Sequence, residues 1–118
     1  PYIQYAYVRA RRILENYGQN ISKEVVGKFS EAEEVELVKI LWTYKEVLQK
    51  TADSNMPHNL CKYAFDITKS FNSFYNSVHI LNEKDENKKI IRLQLVDLFS
   101  QTLKEVFGLL GIDMPEKM

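Results

Sequence analysis

Residues 57–78 read PHNLCKYAFDITKSFNSFYNSV, and the spacing of their apolar members decides the fold class. Leu60, Ala64, Ile67, Phe71, Phe74 and Val78 recur at intervals of three and four, which puts them on one side of a helix. A strand would alternate with period two. A stripe kept up for about five turns is long enough to line a core. Pro57 suits the first position of this helix, where its missing N–H costs nothing.

The same period appears on both sides of this stretch. Upstream, Ile3, Ala6, Ala10, Ile13, Leu14 and Tyr17 follow helical spacing, and Gly18 reads as the C-cap. QNISKEVVGKF (19–29) is polar with a small apolar cluster, as expected of a packed loop. Ser30 and Glu33 fit a capping box, after which Val35, Val38, Leu41 or Trp42, Tyr44, Val47 and Leu48 make an apolar face, with Thr43 marking a bend that leaves one helix or two. Downstream, the charged run NEKDENKK (82–89) reads as a surface loop, and IIRLQLVDLFSQTLKEVFGLLG (90–111), apolar around most of its circumference, reads as an enclosed helix ended by Gly111. No alternating run and no internal repeat is present, so the expected architecture is an all-α bundle of four to five helices.

At 118 residues the chain makes one domain, expected to span 1–118, and needs no metal or disulfide staple. Its apolar share of 45% belongs to a packed protein and excludes disorder. The single cysteine, Cys61, cannot pair internally, and no signal-like stretch stands near the N-terminus, which fits a reducing, cytoplasmic location. No run approaches a membrane span. The net charge is zero, but the first 23 residues hold Arg9, Arg11, Arg12 and Lys23 against Glu15 alone, so the N-terminal end is basic. A start without methionine that enters a periodic pattern at once is expected of a piece of a longer chain.

Catalysis has little to rest on. There is no phosphate-binding glycine loop, no paired-cysteine zinc spacing, no HExxH and no nucleophile elbow. His58 and His79 are far apart in sequence; Cys61, on the first turn of its helix, is expected to be a small buried hydrophobe. Glu31, Glu33, Glu34 and Glu36 suit a helix N-terminus through the macrodipole and need no substrate. No catalytic or metal-ligating residue is assigned.

Binding has more. If Ile3, Ala6, Ala10 and Ile13 face the core, then Tyr2, Tyr5, Arg9, Arg12 and Asn16 fall on a neighbouring stripe of the same helix. Rings that stack on unpaired bases and guanidinium groups that meet phosphates are the chemistry of single-stranded RNA binding. Thr68, Asn72, Tyr75 and His79, with Asn76 beside Tyr75, make a second such stripe on the 57–78 helix. Tyrosines packed between helices and solvated arginines account for the same residues equally well.

Taken in order, YIQYAYVR, PHNLCKYAFDITKSFNSFYN, IIRLQL, LLGIDMP and PEKM resemble the C-terminal, DALR-type anticodon-binding domain of arginyl-tRNA synthetase over nearly the whole chain. Tyr2, Gln4, Tyr5, Ala6 and Arg9 match that family's first motif. Phe71, Phe74, Tyr75 and Asn76 match its FYN segment, and Arg92, Leu93 and Leu95 the motif after it. Tyr7 stands where the family has histidine, Val8 where it has a small residue, Lys45 for a proline, Val78 for a cysteine and Lys117 for arginine.

The resemblance implies an all-α domain that docks on the anticodon loop of tRNA, while a class I catalytic domain outside this chain binds ATP and arginine and ligates the amino acid to the tRNA. The implied partners are tRNA and that catalytic domain, without DNA or membrane, and this part of the chain holds no cofactor. The RNA-binding residues carried over are Tyr2, Tyr5, Arg9, Tyr75, Asn76 and the terminal Met118, to which the stripe adds Arg12. Arg92 and His58 are expected to serve helix packing or hydrogen bonding. The tail is expected to fold back through Ile112, Met114 and Met118. The alternative is a helical protein-docking module that uses the same Tyr/Arg stripe, since both residue types favour interfaces.

Overall fold

The computed structural model of the chain describes residues 1–112, 114 and 115. Met118, assigned to RNA above, lies outside the described residues, as does most of PEKM. The described residues form five helices and no strand: α1 (Tyr2–Tyr17), α2 (Ala32–Trp42), α3 (Tyr44–Ser54), α4 (His58–Ser77) and α5 (Glu86–Leu109). The all-α bundle expected from periodicity is the fold.

The stripe on residues 57–78 forms its middle. Leu60, Ala64, Ile67, Phe71 and Phe74 are buried, and α4 carries them against α2, α3, α1 and α5. Phe71 stacks on Phe99 of α5 with ring centres 4.1 Å apart and planes 5° from parallel, a pair that adds about 0.5–1.5 kcal/mol beyond its buried area. Eleven residues of α5 are buried, as expected of the enclosed helix. Ala6 and Ala10, which are almost fully covered, let α1 lie against α5 and α4. Tyr7, in the position where the resembled family has histidine, is buried in the core and faces no solvent.

The helix ends follow local chemistry. Gly18 has φ 68° and its N–H donates to the Leu14 carbonyl, closing α1 as read from sequence. At the end of α5 the N–H groups of Gly111 and Ile112 reach back to the carbonyls of Gly108 and Phe107, with Gly111 at φ 75°, a left-handed conformation that glycine adopts without steric cost. The bend falls at Thr43, and α2 and α3 are separate helices: the Thr43 hydroxyl bonds the Ile40 carbonyl at 2.7 Å, and the buried Tyr63 hydroxyl donates to the Ile40 and Leu41 carbonyls at 2.8 and 3.3 Å. Carbonyls freed by the break thus find donors.

Several expectations need correction. The capping residues lie one position later, with Glu31 at the N-cap and Glu34 at the third helical position; the Glu34 carboxylate takes the N–H groups of Ser30 and Glu31. Leu37 and Leu41 form the core face of α2 while Trp42 is 82% exposed. Helix α5 begins inside the charged run, at Glu86, because the Asp85 side chain caps the N–H groups of Asn87 and Lys88. Pro57 is the N-cap of α4 rather than its first residue, although its φ and ψ are already helical. Cys61 is exposed, not buried. Met114 packs on the core, but Ile112 is largely exposed.

Candidate RNA-binding groove

The turn after α4 creates a concavity. Val78 leaves the helix in extended conformation, and the chain from Val78 to Asn82 passes beside α1 before α5 begins. Between that turn, the end of α4 and one side of α1 lies a groove of about 870 Å³, within the range of sites that enclose small molecules or single nucleotides. Tyr5, Arg9, Arg12 and Asn16 line it from α1, Tyr75 and Asn76 from α4, and His79 and Asn82 from the turn. Val8, Ile13, Val78 and Ile80 give it an apolar floor. Of the residues assigned to RNA from the sequence, Tyr5, Arg9, Arg12, Tyr75 and Asn76 therefore meet in one place, joined by Asn16 and His79 of the two stripes.

The groove is organised before any ligand arrives. The Arg9 guanidinium carbon sits 4.5 Å from the centre of the Tyr75 ring, and Arg9 Nη1 donates to Asn72 Oδ1 at 3.3 Å. Tyr75 in turn lies on Phe71 with ring centres 6.3 Å apart, so the stack runs from the core to the groove. Tyr5 is 56% exposed and Tyr75 36%, leaving ring surface for a planar partner. Among the described residues lining the groove are two arginines and no carboxylate, so its field favours an anion.

Two residues of the sequence stripes are elsewhere. Tyr2 lies 5.5 Å from Phe65, ring centre to ring centre, in a separate apolar hollow with Ile3, Lys69 and Phe107. Thr68 is fully buried, so the second stripe reaches solvent only from Asn72 onward.

Arg92, expected to serve helix packing or hydrogen bonding, does both beside the groove. It is buried, with Nε donating to Glu34 Oε2 at 2.6 Å and Nη1 donating to the His79 carbonyl and to Glu83 Oε1, both at 2.8 Å; Nη2 is 3.4 Å from Ser30 Oγ. Burial works to raise the Glu34 pKa, but the Arg92 hydrogen bond, the N–H groups of Ser30 and Glu31 and the Arg92 charge outweigh it and hold the carboxyl below its ordinary range. Glu83 is held low as well, by the Asp85 N–H and then by Arg92. Both carboxylates stay charged around one cation. His58, for which helix packing or hydrogen bonding is expected as well, is exposed at the start of α4.

Among the described residues no group of three or more His, Cys, Asp or Glu could hold a metal ion, and no helix is long and apolar enough to cross a membrane.

The family model for the DALR anticodon binding domain matches residues 3–118. The chain is 41% identical over its whole length to an arginine–tRNA ligase of Flavobacterium psychrophilum, of which it covers 20%. It is 44% identical to an arginine–tRNA ligase of Clostridium botulinum, of which it covers 21%. It is thus about a fifth of the length of these relatives. Among solved structures, the arginyl-tRNA synthetase of Thermus thermophilus superposes with a TM-score of 0.89 at 31% identity, over 100% of this chain and 21% of the other.

Proposed function

Since the chain belongs to the DALR anticodon-binding domain family, we propose that its groove between α1 and α4 binds the anticodon loop of a tRNA. The observation that carries this reading is the meeting of Tyr5, Arg9, Arg12, Tyr75 and Asn76 around one concavity without a carboxylate. Exposed tyrosine rings stack on unpaired bases, arginines meet phosphates, and asparagine amides reach base edges. Arg9, already stacked on Tyr75, offers its outer face as a further plate for a base.

The relatives named above extend the reading. The chain acts as the tRNA-recognition part of an arginine–tRNA ligase in the cytoplasm, while ATP and arginine bind a class I catalytic domain elsewhere in the longer protein. This part contributes affinity and choice of tRNA, not bond making. Tyr2, outside the groove, contributes less than Tyr5.

Titration of the chain with the anticodon stem-loop of an arginine tRNA, and with the same stem carrying a scrambled loop, tests the reading. The expected result is tighter binding of the cognate loop, weakened by salt and by Tyr5→Ala or Tyr75→Ala with helical circular dichroism retained. Equal affinity for both loops sinks specific recognition, and RNA binding unaffected by both substitutions points to a protein partner for this surface instead.

A further inference from the structure

The wall of the groove is a turn without helical hydrogen bonding of its own, and such a segment has conformational entropy to lose unless something holds it. One side chain holds both of its ends. Arg92 Nη1 donates to the His79 carbonyl and to Glu83 Oε1 at 2.8 Å each, while the buried Glu34 fixes Arg92 from behind through Nε. Between those two anchors lie Ile80, Leu81 and Asn82, all of them groove-lining. Buried Ile80 closes the turn by accepting the Glu83 N–H at 3.3 Å.

Charge points the same way. The lining ends at Asn82, and the next residue, Glu83, would set a bare carboxylate beside RNA phosphates. Its contact with Arg92 at 2.8 Å offsets part of that charge, the same cation also serving Glu34.

We propose that Arg92 is a positioning residue for RNA binding: it touches no nucleotide, but fixes residues 79–83 as the groove wall and holds the carboxylate at the wall's end against its own positive charge. This rests on the RNA reading above. A merely structural Arg92 would tie α5 to α2 through Glu34 and leave the groove indifferent to Glu83.

Replacing Arg92 outright would strand the buried Glu34 and endanger the fold, so the test uses Glu83, whose loss leaves the Arg92–Glu34 pair in place. The two accounts give opposite signs. A carboxylate that only repels RNA predicts tighter binding by Glu83→Ala. A tether predicts binding weaker by about tenfold, the worth of a lost hydrogen bond to a charged group. Glu83→Gln keeps an acceptor for Arg92 without the charge, so it should bind at least as tightly as the parent chain. Affinity for the anticodon stem-loop is read at fixed salt, with circular dichroism and the amide NMR shifts of His79, Leu81 and Asn82 alongside. Weaker binding by the alanine variant, retained binding by the glutamine variant and shifts confined to the turn bear the proposal out. Unchanged or tighter binding by Glu83→Ala, or equal loss in both variants, overturns it. If the parent chain fails to discriminate between loops, the RNA reading falls instead, and the amide shifts separately report whether Glu83 holds the turn.

Discussion

The guanidinium of Arg9 lies over the ring of Tyr75 at 4.5 Å and is steadied by Asn72 at 3.3 Å, so residues from the two ends of the groove's sequence meet as one surface. A long side chain fixed in advance loses less freedom when a ligand arrives. Arg9 is therefore a plate as well as a charge.

That double role separates two substitutions. Arg9→Lys keeps the charge but loses the planar fork and its stacking; RNA affinity should fall by about 1 kcal/mol with the salt dependence preserved. Arg9→Ala should lose more, and the slope of log affinity against log salt should shrink by about one phosphate contact. Binding isotherms at several salt concentrations check both. Equal slopes for all three chains would mean that Arg9 meets no phosphate.

Tyr2 and Tyr5 look equivalent in the sequence, yet only Tyr5 lines the groove. Tyr5→Ala should cost about 1–3 kcal/mol of RNA binding, the range for a stacked base. Tyr2→Ala should leave RNA binding within about 0.5 kcal/mol, the usual effect of a surface substitution away from special features. Parallel titrations of the two variants decide it, and a larger effect at Tyr2 would move the RNA path toward Phe65.

What could be read in advance was what is local. Leu60 to Phe74 announce a helix because each member of the stripe lies about one turn from the next, and Gly18 announces a stop because its own φ allows it. The apposition of Arg9 and Tyr75 is not local: it depends on how α1 crosses α4, which no spacing encodes. Thr68 shows the limit of extending a stripe by threes and fours: at about 100° per residue it shares a face with Tyr75, yet it is buried, because burial along that face depends on which turns of the helix its neighbours cover. Glu34 was hidden for another reason. Among four neighbouring glutamates it reads as one more acid at a helix N-terminus, and only its Arg92 partner, 58 positions away, distinguishes it. The capping register slipped by one because Ser30/Glu33 and Glu31/Glu34 have equal spacing, and burial of Glu34 selects the second.

The break between α2 and α3 rests on Tyr63. Its hydroxyl serves the Ile40 and Leu41 carbonyls, and burial pushes its pKa up to about 12. Tyr63→Phe leaves those carbonyls with one donor fewer and should cost about 1–2 kcal/mol, measured by urea unfolding. Because the folded form binds this proton more tightly than the unfolded chain, stability should fall as pH rises from about 10 toward 12. The phenylalanine variant should show a shallower alkaline loss.

The opposite limb belongs to Glu34. Its carboxyl is depressed below the ordinary value of 4.5, so in the acid range the unfolded chain binds the proton more readily than the folded one. Its contribution is complete above about pH 4.5 and is lost as pH falls through the lower folded value. Glu34→Ala should destabilise the chain at neutral pH by about 3 kcal/mol, the lower end for breaking a buried pair, since Arg92 keeps Glu83. It should also flatten the acid limb of the stability profile. Urea unfolding of both chains from neutral pH down to about pH 3 tests the sign and the size together. Parallel acid limbs would assign the loss to carboxylates other than Glu34, and the buried pair would then owe its effect at neutral pH to packing and hydrogen bonding.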